Sequence, residues 1–163
     1  MRPAPPRSRL VLAAEVTLRQ LPIMLEQSPV LLYDGDCGFC AGSVQFVLAR
    51  ESPTARLRLR FAPLQGEFGA TVFEHHPELI GVDSVVWFEP RQNGTSRVRV
   101  RSDAALSAAA HLGGVWQALA AVGHFIPSVL RDWVYDMIAR RRLSIAAPAC
   151  FLPSAEQRAR FLK

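Results

Sequence analysis

The chain has 163 residues, half of them hydrophobic, which suits one ordinary domain with a sizeable buried core. Its net charge of +5 comes from Arg residues scattered from Arg2 to Arg160 rather than gathered in a tract, a distribution that argues against a nucleic-acid partner and for anionic small ligands or simple solubility. Three cysteines, a close pair and a distant Cys150, are too few for the disulfide framework of a small secreted protein.

Residues 1–28 read as an N-terminal extension to a single domain at 29–163. They carry Pro3, Pro5, Pro6 and several Arg, and the apolar stretch Leu10–Ala14 is broken by Glu15 before any cleavage site, which argues against a secretory signal. The expected location is the cytoplasm, with an organellar transit peptide left open by the Arg-rich start. Val30–Tyr33, ending in Asp34-Gly35, predicts a buried strand feeding a turn. Beyond Cys37 the apolar residues Val44, Phe46, Val47 and Leu48 continue without a breaker as far as Ser52-Pro53, predicting a helix that ends near Arg50 with Cys37 at its N-terminus.

Arg56–Phe61 alternates strictly and predicts a strand with one polar face, ended by Pro63. A second helix is predicted over Glu67–His76, stopped by Pro77. Ser84–Phe88 and Arg97–Arg101 predict a hairpin, with Asn93-Gly94 as turn residues. Ser102 is then the natural N-cap of an Ala-rich helix, and Asp103 suits its first turn. Gly113-Gly114 and Pro127 divide the remainder into three helical pieces ending near Arg142, and the tail from Ala146 to Lys163 holds Cys150 and a short helix. Ala104–Leu130 carries no formal charge and is long enough to span a bilayer, but its glycine pair, Pro127 and polar residues predict buried helices, so membrane association is not expected. Trp116, Trp133 and Tyr135 on the late helices are expected to fill the core or cover its end, with an exposed patch for a partner or a membrane surface as the alternative.

Cys37 and Cys40 carry the chemistry. At a helix N-terminus, free backbone N–H groups and the helix dipole favour a thiolate, which is the nucleophile of disulfide exchange. Cys37 is therefore the candidate attacking thiol, exposed at the mouth of the turn, and Cys40, one turn on, is placed to resolve a mixed disulfide. Asp34 has two readings of equal weight: a buried proton acceptor for Cys40, or an Asx-turn residue closing the corner. Phe39 offers an apolar contact to a substrate or to the core. A zinc site is the weaker alternative, because no second closely spaced ligand pair accompanies the cysteines; inert buried thiols are another.

Strand, helix, strand, helix, hairpin, helix is an α/β order, and with Cys-x-x-Cys at the first strand-to-helix junction it resembles the thioredoxin fold. The expected architecture is a three-layer α/β/α sandwich around a four-stranded mixed sheet, with a C-terminal helical extension. The two Arg-alternating strands fall at the edges of such a sheet, where charge discourages pairing with another chain.

The stretch Asp34-Gly35-Asp36-Cys37-Gly38-Phe39-Cys40 resembles the DCC family of thiol–disulfide oxidoreductases. Arg60-Phe61-Ala62 with Leu64-Gln65, Asp83-Ser84-Val85-Val86, Arg101-Ser102-Asp103-Ala104-Ala105 and Ile138-Ala139-Arg140 follow in the same order, so that the resemblance covers about residues 29 to 162. It implies a thioredoxin-like fold and oxidoreductase activity. Two departures stand out. The aromatic stretch that members carry after the last helix is replaced by Leu143–Ala147, and the cis-proline that thioredoxins place before the third strand is absent from Gly81–Ser84, so that Val82 or Asp83 takes its place. Ser102 and Asp103 are similar in position to the helix start at which glutaredoxins hold a glutathione carboxylate; Arg101 would add a charge-assisted contact.

The expected activity is thus disulfide exchange with a disulfide-containing protein or a low-molecular-weight thiol. No cofactor or metal is expected, except glutathione as a co-substrate. The rival is a thioredoxin-like binding or scaffold protein without redox turnover. Cys150 reads as a small residue packed on the core, with a regulatory disulfide to Cys37 as the alternative.

Overall fold

The structure is a computed structural model that describes residues 28–52, 55, 58–82, 84–91, 95–145 and 153–163. Among the features expected from the sequence, the extension up to residue 27, Asp83, the Asn93-Gly94 turn and Cys150 lie outside the described residues.

Strand β1 (Val30–Tyr33) leads into helix α1 (Gly38–Arg50), strand β2 (Arg60–Pro63), helix α2 (Glu67–His75), strands β3 (Val86–Pro90) and β4 (Ser96–Val100), then helices α3 (Arg101–Leu112), α4 (Gly114–Gly123), α5 (Ser128–Ile145) and α6 (Ala155–Arg158). The four strands form one mixed sheet in the order β2-β1-β3-β4. β1 runs parallel to β2, with Leu31 opposite Phe61, and antiparallel to β3, with Leu31 opposite Trp87. The architecture is thioredoxin-like α/β with β2 and β4 at the edges; β4 carries the alternating Arg97 and Arg99, whereas β2 holds only Arg60 of its arginine-alternating stretch.

Alternation along β1 sorts the core into two layers. Leu31 faces Val44, Val47 and Leu48 of α1 and Ala104, Ala108 and Leu112 of α3, whereas Val30 and Leu32 face Val72 of α2 with Leu79 and Val86. Helices therefore cover both faces of the sheet.

Several elements depart from the sequence expectation. β2 starts at Arg60, because Arg58 sits in a turn with its N–H donating to the Ala55 carbonyl. Pro63 belongs to β2 as its last residue, where an edge strand tolerates the missing N–H. β3 extends to Pro90, opposite Ser96. α3 begins two residues early: Val100 is its N-cap, and Ser102 makes no capping bond because its hydroxyl goes to Asp132. Arg101, expected at the end of the strand, opens the helix with φ 52, left-handed backbone that a side chain disfavours. α5 runs on to Ile145, beyond the expected end near Arg142.

The tail returns to the sheet. Phe161 bridges to Phe61 in parallel and stacks on it with ring centroids 5.2 Å apart, and Arg160 reaches Glu51, the C-cap residue of α1. α4 and α5 pack against α3, and α5 also meets α1. The uncharged segment was expected to be buried, yet Val115, Leu119 and Val122 of α4 are exposed, as is Trp133 of α5, since each helix gives only one flank to the domain.

Candidate active site

β1 ends where the dithiol corner begins. Asp34 Oδ1 accepts the Asp36 N–H at 3.1 Å, an Asx turn, and also accepts Gln65 Nε2 at 2.8 Å. Gln65 Oε1 in turn accepts the Gly35 N–H at 3.1 Å, so that one side chain braces both sides of the corner. The brace follows from topology: β1 and β2 are parallel, which puts the residues after both strands side by side. Gln65 belongs to the stretch that resembles the DCC family but carries no role there. Its position just past the second strand was the available signal.

Cys37 is the N-cap of α1, with extended backbone and its N–H donating to the Asp34 carbonyl at 3.3 Å. Its Sγ accepts the Cys40 N–H at 3.4 Å. Both cysteines are thiols rather than a disulfide. The cap position is as expected, but exposure is not: Cys37 is only 2 % exposed and Cys40 only 5 %. Packing of the rest of the domain, which local pattern does not report, closes over the pair.

Cys40, not Cys37, lines a groove of about 590 Å³. Phe39, Phe46, Trp116, Tyr135 and Ile138 form much of its wall, and no ionised side chain is among its lining residues. Phe46 and Trp116 meet edge to face at 5.0 Å, with the Arg50 guanidinium 3.8 Å above Phe46. Tyr135 crosses from α5 to accept the Val85 N–H at 3.2 Å, just ahead of β3. Trp116 and Tyr135 were expected to fill or cover the core; both sit half-buried over this groove, whereas Trp133 points outward and covers nothing.

Of the other residues singled out from the sequence, Phe39 reaches the groove, while Arg101, Ser102 and Asp103 do not line it. Ser102 donates both its N–H, at 3.4 Å, and its hydroxyl to Asp132 Oδ1. Asp103 accepts Arg131 Nη1 at 2.7 Å, and Arg101 lies 3.7 Å from Asp136. The start of α3 thus already holds a carboxylate, Asp132 of α5, which is 30 residues away in sequence. Among the described residues no group of three or more His, Cys, Asp or Glu side chains is arranged to hold a metal.

Two thiols one helical turn apart can join in a disulfide and release two electrons to a partner. Comparison with known proteins agrees with that chemistry. The model of the DCC1-like thiol-disulfide oxidoreductase family matches residues 31–147. The chain belongs to this family. A Bacillus subtilis (strain 168) relative, the uncharacterised protein YuxK, is 34% identical over 142 residues, covering 84% of this chain and 97% of its own length. A DCC family protein of Arabidopsis thaliana, described as chloroplastic, is 27% identical over 121 residues, 74% of this chain and 66% of the relative. No solved structure matches. Membership in the DCC1-like family places the Cys37–Cys40 corner inside the matched span and gives the fold a redox setting. No described helix of this DCC1-like chain is long and apolar enough to cross a membrane.

Proposed function

We propose that the protein exchanges disulfides through Cys37 as attacking thiol and Cys40 as resolving thiol. The observation that carries this reading is the Cys37 sulfur at the α1 N-cap, accepting a backbone N–H, as a thiolate would require. The Cys37 thiolate attacks one sulfur of the substrate disulfide; the S–S bond breaks, a mixed disulfide forms, and the first substrate thiolate leaves. The Cys40 thiolate then attacks Cys37 Sγ and displaces the second substrate sulfur. The substrate gains two electrons and the protein keeps the Cys37–Cys40 disulfide; the reverse sequence oxidises a substrate dithiol.

Asp34 takes the proton from Cys40 in the resolving step, while its Asx turn holds the corner in place. Phe39 and the neighbouring rings receive an apolar segment beside the scissile disulfide. Because Cys37 is buried, attack requires local opening, and the groove beside Cys40 is the route. Arg101, Ser102 and Asp103 would meet a substrate only outside the groove, where Asp136, Asp132 and Arg131 already engage them. A glutathione carboxylate arriving at Ser102 would have to displace Asp132. The partners are a disulfide-containing protein or a low-molecular-weight thiol, and the place of action is the cytoplasm or, as the name of the plant relative suggests, an organelle.

The test is reduction of insulin or glutathione disulfide. Wild type turns over, Cys37→Ser is inactive, and Cys40→Ser accumulates a mixed disulfide with the substrate. Turnover surviving in Cys37→Ser would defeat the assignment. The burial of Cys37 favours a second reading, a binding or scaffold protein, which prevails if neither variant differs from wild type and no thiol cycles.

A further inference from the structure

Outside the dithiol corner, the largest anomaly of the surface is the helical pair α4–α5 and its link. Phe125 at the tip is 89 % exposed and Val129 81 %; Val122, Leu119, Ile126 and Trp133 join them on the same two helices. Isolated exposed apolar residues are ordinary, whereas a run of this kind along two successive helices and their link marks a surface that meets another apolar phase.

The charges of the pair indicate which phase. Between Gly113 and Leu130 there is no formally charged residue. The two acids of α5 are turned toward α3: Asp132 is bonded to Ser102, and Asp136 lies 3.7 Å from Arg101. Among the described side chains of α4, α5 and their link, the exposed ionisable ones are His124, Arg140 and Arg141, all basic when charged. Val129, Trp133 and Met137, exposed and four residues apart, line one flank of α5 that ends at Arg140 and Arg141, an apolar strip closed by arginines that suits a helix lying in a bilayer interface rather than across it.

We infer that this helical segment docks the domain on an anionic phospholipid surface, with Phe125, Ile126 and Val129 entering the acyl boundary and Arg140 and Arg141 meeting the headgroups. The sequence alone argued against membrane association because it assigned the uncharged segment to the core; exposure of the segment reverses that reasoning. α5 also lends Tyr135 and Ile138 to the groove beside Cys40, so docking would bring the dithiol close to the membrane surface.

The experiment is co-sedimentation of the full chain with phosphatidylcholine vesicles and with vesicles of equal parts phosphatidylcholine and phosphatidylglycerol, alongside its mass in solution. Binding to the mixed vesicles is expected, weak on phosphatidylcholine alone and reduced by salt. Phe125→Ser with Val129→Ser should lower partitioning at least about tenfold, and Arg140→Gln with Arg141→Gln about fivefold per arginine on the anionic vesicles only. These side chains are exposed, so both variants should unfold at the wild-type temperature. Absence of vesicle binding, equal binding by the Phe125/Val129 variant, equal binding to both vesicle types, or a dimer that the Phe125/Val129 variant dissociates would each overturn the inference. Disulfide exchange is read separately, so its loss and the loss of docking are distinguishable.

Discussion

Replacing Arg160 by Ala isolates one buried charge. The Glu51 side chain has no solvent exposure, and its two oxygens receive Arg160 Nη1 at 2.8 Å and Nη2 at 2.7 Å. Arg160 Nε also donates to the Leu59 carbonyl at 3.0 Å, and the guanidinium lies 5.1 Å from the Phe61 ring centroid. Removing one partner of such a pair leaves the other charge buried and unpaired, which costs about 3–5 kcal/mol. For a chain of this size that is a fall of about 10 °C in Tm. Urea and thermal unfolding of Arg160→Ala measure it. Arg160→Lys, which keeps the charge and loses the fork, should fall in between. Glu51→Leu with Arg160→Leu, which strands neither charge, should cost less than Arg160→Ala alone. A loss under about 1 kcal/mol in Arg160→Ala would refute the claim that this pair ties the C-terminal tail to the end of the dithiol helix.

Burial holds the His111 imidazole below its ordinary 6.5. The unfolded chain then takes up a proton at a pH where the folded chain does not, so stability should fall as pH drops below about 6.5 and level off above it; urea unfolding of wild type and His111→Gln between pH 5 and 8 should show a flatter profile in the variant. A glutathione titration followed by amide shifts should leave Ser102 unmoved in wild type, because Asp132 already accepts its N–H, and should move it in Asp132→Ala, where that donor is released. Gly69→Ala drives a Cβ into the Leu64 carbonyl oxygen, so α2 must shift, and chemical denaturation should register a loss of about 1–3 kcal/mol.

What the sequence discloses about this fold is what short range controls. The apolar run Val30–Tyr33 closed by Asp34-Gly35, and the helix from Cys37 to a stop at Ser52-Pro53, sit where local pattern placed them, and the arginine alternation of Arg97–Arg101 marked one sheet edge, β4. The errors share a cause, partners distant in the chain. Ser102 looks like a cap until Asp132, 30 residues on, takes its hydroxyl. Cys37 looks exposed until the rest of the domain packs around it. Trp133 and the uncharged segment look like core because hydrophobicity alone does not say which flank of a helix is covered. Gln65 carries no chemical signature, and only the parallel pairing of β1 with β2 brings it to the corner.

Equilibration of the full chain in glutathione buffers, from fully reduced to fully oxidised, followed by thiol labelling and mass spectrometry, tests the dithiol most directly. The account predicts a single two-electron transition to an intramolecular Cys37–Cys40 disulfide that reverses on reduction. Cysteines that stay as thiols throughout, or that form only mixed disulfides with glutathione at the oxidising end, would contradict it.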